Sequence, residues 1–280
     1  MERPNLRHLR AFSLAVRERN ISRAAEAARI TQSAVSQAVA KLEAHYGCRL
    51  LERSATGVYP TALGTVAVER VDRALARLAA ASQRAAAPAG RGAARAGAAE
   101  PDRMITLSQL AAFLATAQAG GFKAGARQLG LSQPSVHRAV RQLQDVIGVD
   151  LLEQTSLGLA PTRGGADFAA SVALILKEID LIADDLDEAR GHHRGRVAIG
   201  SLALGRSELV PRAVARTVKA FPDASFLIQD GSYDELLRSL RAAELDLIVT
   251  AGRCPPTTSS SCRCSRTCWR WSAAPGTRWR

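Results

Sequence analysis

A chain of 280 residues has room for two or three small domains. Its 47% hydrophobic content is that of an ordinary globular protein; no apolar run reaches the roughly 18 residues a membrane span needs, and Met1-Glu2-Arg3-Pro4-Asn5 leads into no apolar signal core. These features argue against a membrane or secreted protein and for a cytoplasmic one. The net charge of +12 points to nucleic acid, and it is uneven: +8 over residues 1–100, −3 over 101–190, +2 over 191–253 and +5 over 254–280.

In chain order, Leu6, Leu9, Phe12 and Val16 fall at helical spacing and predict a first helix over residues 5–19. Ser22 is a candidate cap for a second helix, Arg23 to Arg29, whose Ala24, Ala25 and Ala28 allow close packing. Thr31 is a candidate cap for a third, with Val35, Ala38, Val39 and Leu42 on an apolar face. Ser33, Gln37 and Lys41 lie opposite, and Gly47 is a natural stop. A helix that packs by one side and offers polar groups on the other suits a DNA major groove. Residues 48–60, short apolar pieces around Gly57, predict a two-stranded wing. Thr61 then caps a longer helix to about Ala87, followed by Gly-, Ala- and Pro-rich residues that read as a flexible linker.

The unit then recurs at a constant offset of 101. Leu9 and Phe12 return as Leu110 and Phe113; Gln32, Val35, Val39 and Leu42 as Gln133, Val136, Val140 and Leu143. Gly47, Leu50, Leu51 and Glu52 return as Gly148, Leu151, Leu152 and Glu153, and Pro60-Thr61 with Gly64 as Pro161-Thr162 with Gly165. This is a repeat of one whole small domain.

Both copies resemble the winged helix-turn-helix of LysR-type transcriptional regulators. The resemblance rests on Leu9 and Phe12, the Thr31-to-Ser36 core, Leu42-Glu43, Gly47, Leu50-Leu51-Glu52-Arg53 and Pro60-Thr61 with Gly64. It implies that Thr31, Gln32, Ser33, Ser36, Gln37 and Lys41 meet bases or nearby phosphates, and that Arg53 reaches the backbone or minor groove. In the second copy it implies the same for Ser132, Gln133, Pro134, Ser135, His137 and Arg138. The family's two wing arginines are Arg53 and Thr56 in the first copy, Gln154 and Leu157 in the second. Each lost phosphate contact flattens the salt dependence by about 0.9 log units per decade. The second head is therefore expected to bind DNA weakly or to serve as a dimerisation platform. Two heads in one chain depart from the usual family arrangement of one.

Phe168, Val172, Ile175, Ile179, Ile182 and Leu186 follow with spacings of 4, 3, 4, 3 and 4, an a/d seam flanked by acidic residues. The resemblance implies the family's linker helix, pairing with its twin in a homodimer or homotetramer. From Arg196 the period changes to strand, helix, strand, helix, strand through Val249. This resembles the first part of the family's effector-binding domain, which is similar to a periplasmic binding protein. It implies a small anionic effector near Ser201, Arg206 and Ser207, at a helix N-terminus. The residues from Cys254 hold four of five cysteines, all three tryptophans and no acidic residue. They read as a disordered tail, arising from a reading-frame slip near Arg253, with the second effector subdomain absent. Cys254, Cys262, Cys264 and Cys268 lack a regular Cys-x-x-Cys pair, so no metal is expected. No cofactor is expected, and no nucleophile–base pair or phosphate loop points to an enzyme.

The expected fold is mainly α: two winged helix-turn-helix domains with long linker helices, then a partial α/β subdomain. The boundaries are 1–65 for the first head, 66–87 for its helix, 88–104 for the linker and 105–165 for the second head. The dimerisation helix spans 166–190, the effector-domain part 195–253 and the tail 254–280. The expected function is a sequence-specific DNA-binding transcriptional regulator, with double-stranded DNA as partner and impaired effector sensing. The alternatives are an architectural or interfering DNA-binding protein, and a small-molecule binding module whose heads only mediate interactions.

Overall fold

The computed structural model describes residues 3–86, 101–156, 158–192, 195–202, 208–251, 261–264 and 269–273. It divides into two compact units, Met1–Ala183 and Asp184–Arg280.

The first unit holds two heads built alike. In the first, α1 (Leu6–Glu18), α2 (Ile21–Ala28) and α3 (Gln32–Tyr46) precede a hairpin of β1 (Leu51–Ser54) and β2 (Gly57–Pro60). The long helix α4 (Ala62–Ala86) follows. The second head has α5 (Leu107–Ala119), α6 (Phe122–Leu129), α7 (Gln133–Ile147), β3 (Leu152–Thr155) and β4 (Gly158–Pro161), then α8 (Arg163–Ala189), which belongs to this unit as far as Ala183. Both hairpins are antiparallel and in equivalent register, Leu51 opposite Pro60 and Leu152 opposite Pro161.

Local chemistry accounts for most boundaries. Thr31 caps α3 by accepting from the Ala34 N–H, and Gly47 ends it with φ +61°. The cap of α2 is Asn20, not Ser22: the Asn20 amide oxygen accepts from the Ser22 and Arg23 N–H groups, so the helix starts at Ile21. Val16 is only half-buried, while Ala11 and Ala15 complete the buried face of α1. Part of the expected linker is ordered, since Pro101–Met104 forms a 3-10 turn; residues 87–100 lie outside the described residues.

Two devices hold each wing in place. The Glu43 carboxylate accepts from the Leu50 and Leu51 N–H groups at 2.8 and 3.1 Å, and the Gln144 amide oxygen does the same for Leu151 and Leu152 at 2.9 and 3.2 Å. Gly64 and Gly165 pass so close to the Leu50 and Leu151 carbonyls that a Cβ at either would overlap the oxygen.

The seam of α8 is covered within the chain. Phe168, Val172, Ile175, Ile179, Ile182 and Leu186 are all buried in the single chain. On α4 the equivalent positions Ala67, Val71, Ala74, Leu78 and Ala81 are buried too. The two helices lie side by side and antiparallel. The Arg84 guanidinium donates to the Ser171 hydroxyl at 3.4 Å, whereas Arg70 and Arg73 reach Glu178 at 2.9 and 3.3 Å. Arg77 approaches the other Glu178 oxygen at 4.0 Å. Glu178 and Arg70 are both buried. Arg3 forks onto Asp180 through two bonds of 2.7 Å, and Arg10 donates to the Arg103 carbonyl at 2.8 Å.

The second unit carries a five-stranded sheet in the order β6-β5-β7-β9-β8. Strands β5 (Arg196–Ser201), β6 (Ser225–Asp230) and β7 (Leu247–Ala251) are parallel, connected through α9 (Leu209–Ala220) and α10 (Tyr233–Arg241). Ser232 opens α10 with a capping box to Glu235. The buried Asp246 carboxylate accepts from the Ala198 N–H at 2.8 Å and ties the approach to β7 onto β5. Residues 261–264 and 269–273 form β8 (Ser261–Cys264) and β9 (Trp269–Ala273), with β9 antiparallel to β7. The expectation of disorder over 254–280 therefore does not hold for these strands: β7 offers an unpaired edge, and backbone pairing satisfies it whatever the side chains.

Candidate nucleic-acid interface

Helix α3 turns Val35, Val39, Leu42 and Tyr46 into the core, and this leaves Gln32, Ser33, Gln37 and Lys41 exposed along its other side. Ser36 is half-buried at the border. Thr31 is exposed, and its hydroxyl also meets that of Ser33 at 3.0 Å. Arg53 is exposed on β1, in register with Val58. The first turn of α3 thus presents exposed polar side chains beside the positive end of a helix dipole, a chemistry suited to phosphate and base edges.

In the second head Ser132 caps α7 through the Ser135 N–H, with Pro134 in the first turn. Gln133, Pro134, His137 and Arg138 come together with Arg141 around an open cleft of about 540 Å³. The His137 ring meets the Phe122 ring edge-on, centroids 4.8 Å apart, which fixes its direction. Of the two wing positions that replace arginine, Gln154 is exposed; Leu157 lies outside the described residues.

Three arginines escaped the sequence reading. Arg141 lines the same cleft as Arg138, one helical turn on. Arg19 and Arg29 end α1 and α2 in the left-handed conformation, with φ of 52° and 55°. The second head has Gly120 and Gly130 there, with φ of 70° and 65°. An exposed arginine held where glycine is favoured retains a cost of roughly 1 kcal/mol. The offset of 101 was the available signal, because it aligns each arginine with a glycine. Arg19 also sits 5.6 Å from the Tyr59 ring centre of the wing.

Two titrating groups frame the first head. Burial holds the His8 imidazole below its ordinary pKa, and nearby Lys41 adds to this. Burial pushes the Tyr46 phenol well up, with the Asp180 charge as the second cause. Among the described residues no cluster of His, Cys, Asp and Glu could hold a metal ion.

Two copies of the model for the bacterial regulatory helix-turn-helix protein of the lysR family match residues 6–65 and 107–166, and the LysR substrate binding domain matches 190–277. The chain belongs to the LysR family. Its match to the HTH-type transcriptional regulator GalR of Pseudomonas putida is 33% identical over 253 residues, covering 90% of this chain and 62% of that protein. An alignment of that length necessarily crosses both repeats. The transcriptional dual regulator GltC of Bacillus subtilis matches at 29% over 115 residues, 41% of this chain and 38% of GltC. This chain thus spans under two thirds of these LysR relatives. Among solved structures, full-length CbnR bound to its target DNA aligns with TM-score 0.40 and 23% identity, over 57% of this chain and 54% of that one. A full-length OxyR variant from Pseudomonas aeruginosa gives 0.44 and 22%, over 55% and 51%.

In the LysR substrate binding region, Ser201 is buried at the end of β5 and donates its hydroxyl to the Leu202 carbonyl at 3.1 Å. Arg206 and Ser207 lie outside the described residues. No helix among the described residues is long and apolar enough to cross a membrane.

Proposed function

We propose that the chain is a cytoplasmic, sequence-specific DNA-binding transcriptional regulator of the LysR type, with both heads taking part in reading DNA. The observation that carries this is the paired arrangement on α3 and α7. Each buries one apolar stripe and leaves a capped, polar first turn exposed, at equivalent positions of two family-matched heads. Gln32, Ser33, Gln37 and Gln133, Arg138, Arg141 are the proposed base readers; Arg29, Arg53 and Lys41 are the proposed phosphate contacts. The strand–helix–strand unit with its LysR substrate binding match supports a small effector as the second partner.

The test is affinity of the full chain for DNA selected from a random pool, measured against salt. A neutralised phosphate contributes about 0.9 to the slope of log affinity against log salt, so a steep linear fall is expected, with a defined enriched sequence. Binding with the same slope but no enriched sequence would favour the architectural reading. No binding at low salt would overturn the regulator reading and bring the small-molecule module forward.

A further inference from the structure

The pairing of α4 with α8 raises a question of symmetry. The offset of 101 makes Arg70 equivalent to Ser171, Arg73 to Leu174 and Arg77 to Glu178. An antiparallel pair of like helices would repeat each contact twice about its axis. Two α4 helices paired in this way would set Arg70 against Arg77 of the other copy, twice over, with Arg73 alongside and only the exposed Glu69, 4.0 Å from Arg73, as a nearby acid. Two α8 helices would set Glu178 against Ser171 of the other copy, leaving a buried carboxylate without a cation. Only α4 against α8 places the buried Glu178 among Arg70, Arg73 and Arg77. A buried charge lacking its partner is strongly disfavoured. The charges therefore select the unlike pair and reject both like pairs.

Both members of the unlike pair lie in one chain, the contacting residues Arg70 to Arg84 and Ser171 to Glu178 all fall within the first compact unit, and secondary contacts reinforce the choice. Arg3 ahead of the first head forks onto Asp180 of α8, and Arg10 of α1 binds the Arg103 carbonyl just before the second head. The two recognition helices also differ at every outward position but one. Gln32 has Gln133 as its equivalent, but Ser33 has Pro134, Ser36 has His137, Gln37 has Arg138, Ala40 has Arg141 and Lys41 has Gln142. A bidentate arginine favours guanine, whereas glutamine favours adenine.

We infer that a single chain forms the complete pair of heads and reads one duplex carrying two unlike half-sites, one through α3 and the other through α7. The inference rests on the DNA-binding reading above, and its test separates the two. Full-length chain with Arg84→Cys and Ser171→Cys is prepared in two isotopic forms, mixed, cross-linked with a short bis-maleimide and digested. Peptide pairs joining positions 84 and 171 are expected to be isotopically uniform; mixed-isotope pairs overturn pairing within the chain, with or without DNA. Selection from random DNA is then run with full-length parent, Gln32→Ala/Gln37→Ala and Gln133→Ala/Arg138→Ala, all exposed positions that leave the core intact. The expected site is not palindromic, and each double variant loses enrichment in one half while the other half is kept. A palindrome, or loss in both halves from one variant, overturns the inference while leaving DNA binding standing. No enrichment by the parent at low salt fails the DNA-binding reading itself, and the isotope result still decides the pairing.

Discussion

Glu43 and Gln144 do one job with different chemistry. Each accepts from two successive wing N–H groups, so a neutral amide oxygen suffices in the second head. Glu43→Gln is expected to change stability by less than about 0.5 kcal/mol, whereas Glu43→Ala orphans two half-buried donors and costs about 1–3 kcal/mol; chemical denaturation separates the two. Arg29 tests the opposite case, a residue that costs stability where it stands. Arg29→Gly is expected to raise stability by roughly 0.5–1 kcal/mol by relieving the left-handed conformation. It is also expected to flatten the salt slope of DNA binding by about 0.9 if Arg29 meets a phosphate. A gain in melting temperature with an unchanged slope would strip it of that role. His8 carries the pH dependence of this region. Its folded pKa lies below its unfolded value, so the unfolded chain binds the extra proton and stability falls as pH drops through and below the ordinary histidine value. Thermal melts should show a smaller loss between pH 7.5 and 5 in His8→Gln than in the parent.

At the scale of elements, the Glu178 cluster decides whether the long helices stay together. Glu178→Ala removes the buried carboxylate that Arg70, Arg73 and Arg77 share and is expected to cost about 1.5–3 kcal/mol. Replacing both Arg70 and Glu178 with Met should recover most of that, since an apolar pair of similar volume needs no solvation. Failure of the double variant to recover would place the stability in Arg73 and Arg77 instead. This pair of helices also shows what the residue pattern could disclose. The stripe from Phe168 to Leu186 announced that it needed a cover, and periodicity alone does not say which helix supplies it. The cover was hard to see because three of the five α4 positions are alanine, which fits buried and exposed faces alike. The heads were far more legible, since a fixed offset aligned cap, stripe and stop twice over. At the start of α2 the sequence offers two good caps two residues apart, Asn20 and Ser22, and residue type alone does not choose between them. Arg19 and Arg29 were invisible as functional candidates, because nothing in an arginine announces a left-handed backbone. In the second unit the βαβαβ order was readable from apolar runs, but the pairing of β9 with β7 rests on backbone groups and left no side-chain period.

For the molecule as a whole, the heads differ in where their positive charge sits. The first has Arg29 at a helix end and Arg53 on the wing, with only Lys41 on α3; the second has Gln154 in place of the wing arginine but two arginines on α7, Arg138 and Arg141. Charge at helix ends and wings suits contacts along the sugar–phosphate strand, whereas charge on the recognition helix points into the groove. Arg53→Ala is therefore expected to weaken all sequences evenly and lower the salt slope by about 0.9, and Arg138→Ala to relax preference at one or two bases at a cost of about 1–3 kcal/mol. Binding measured on matched and altered duplexes at two salt concentrations distinguishes these behaviours.

The union of α4 with α8 inside one polypeptide also bears on copy number. Two separate subunits find each other only above their dissociation constant, so halving their number more than halves the paired form. Helices joined in one chain meet at an effective concentration that dilution does not change. A cell holding a handful of these molecules would keep each of them ready for DNA, and promoter occupancy would rise with the first power of protein level rather than its square.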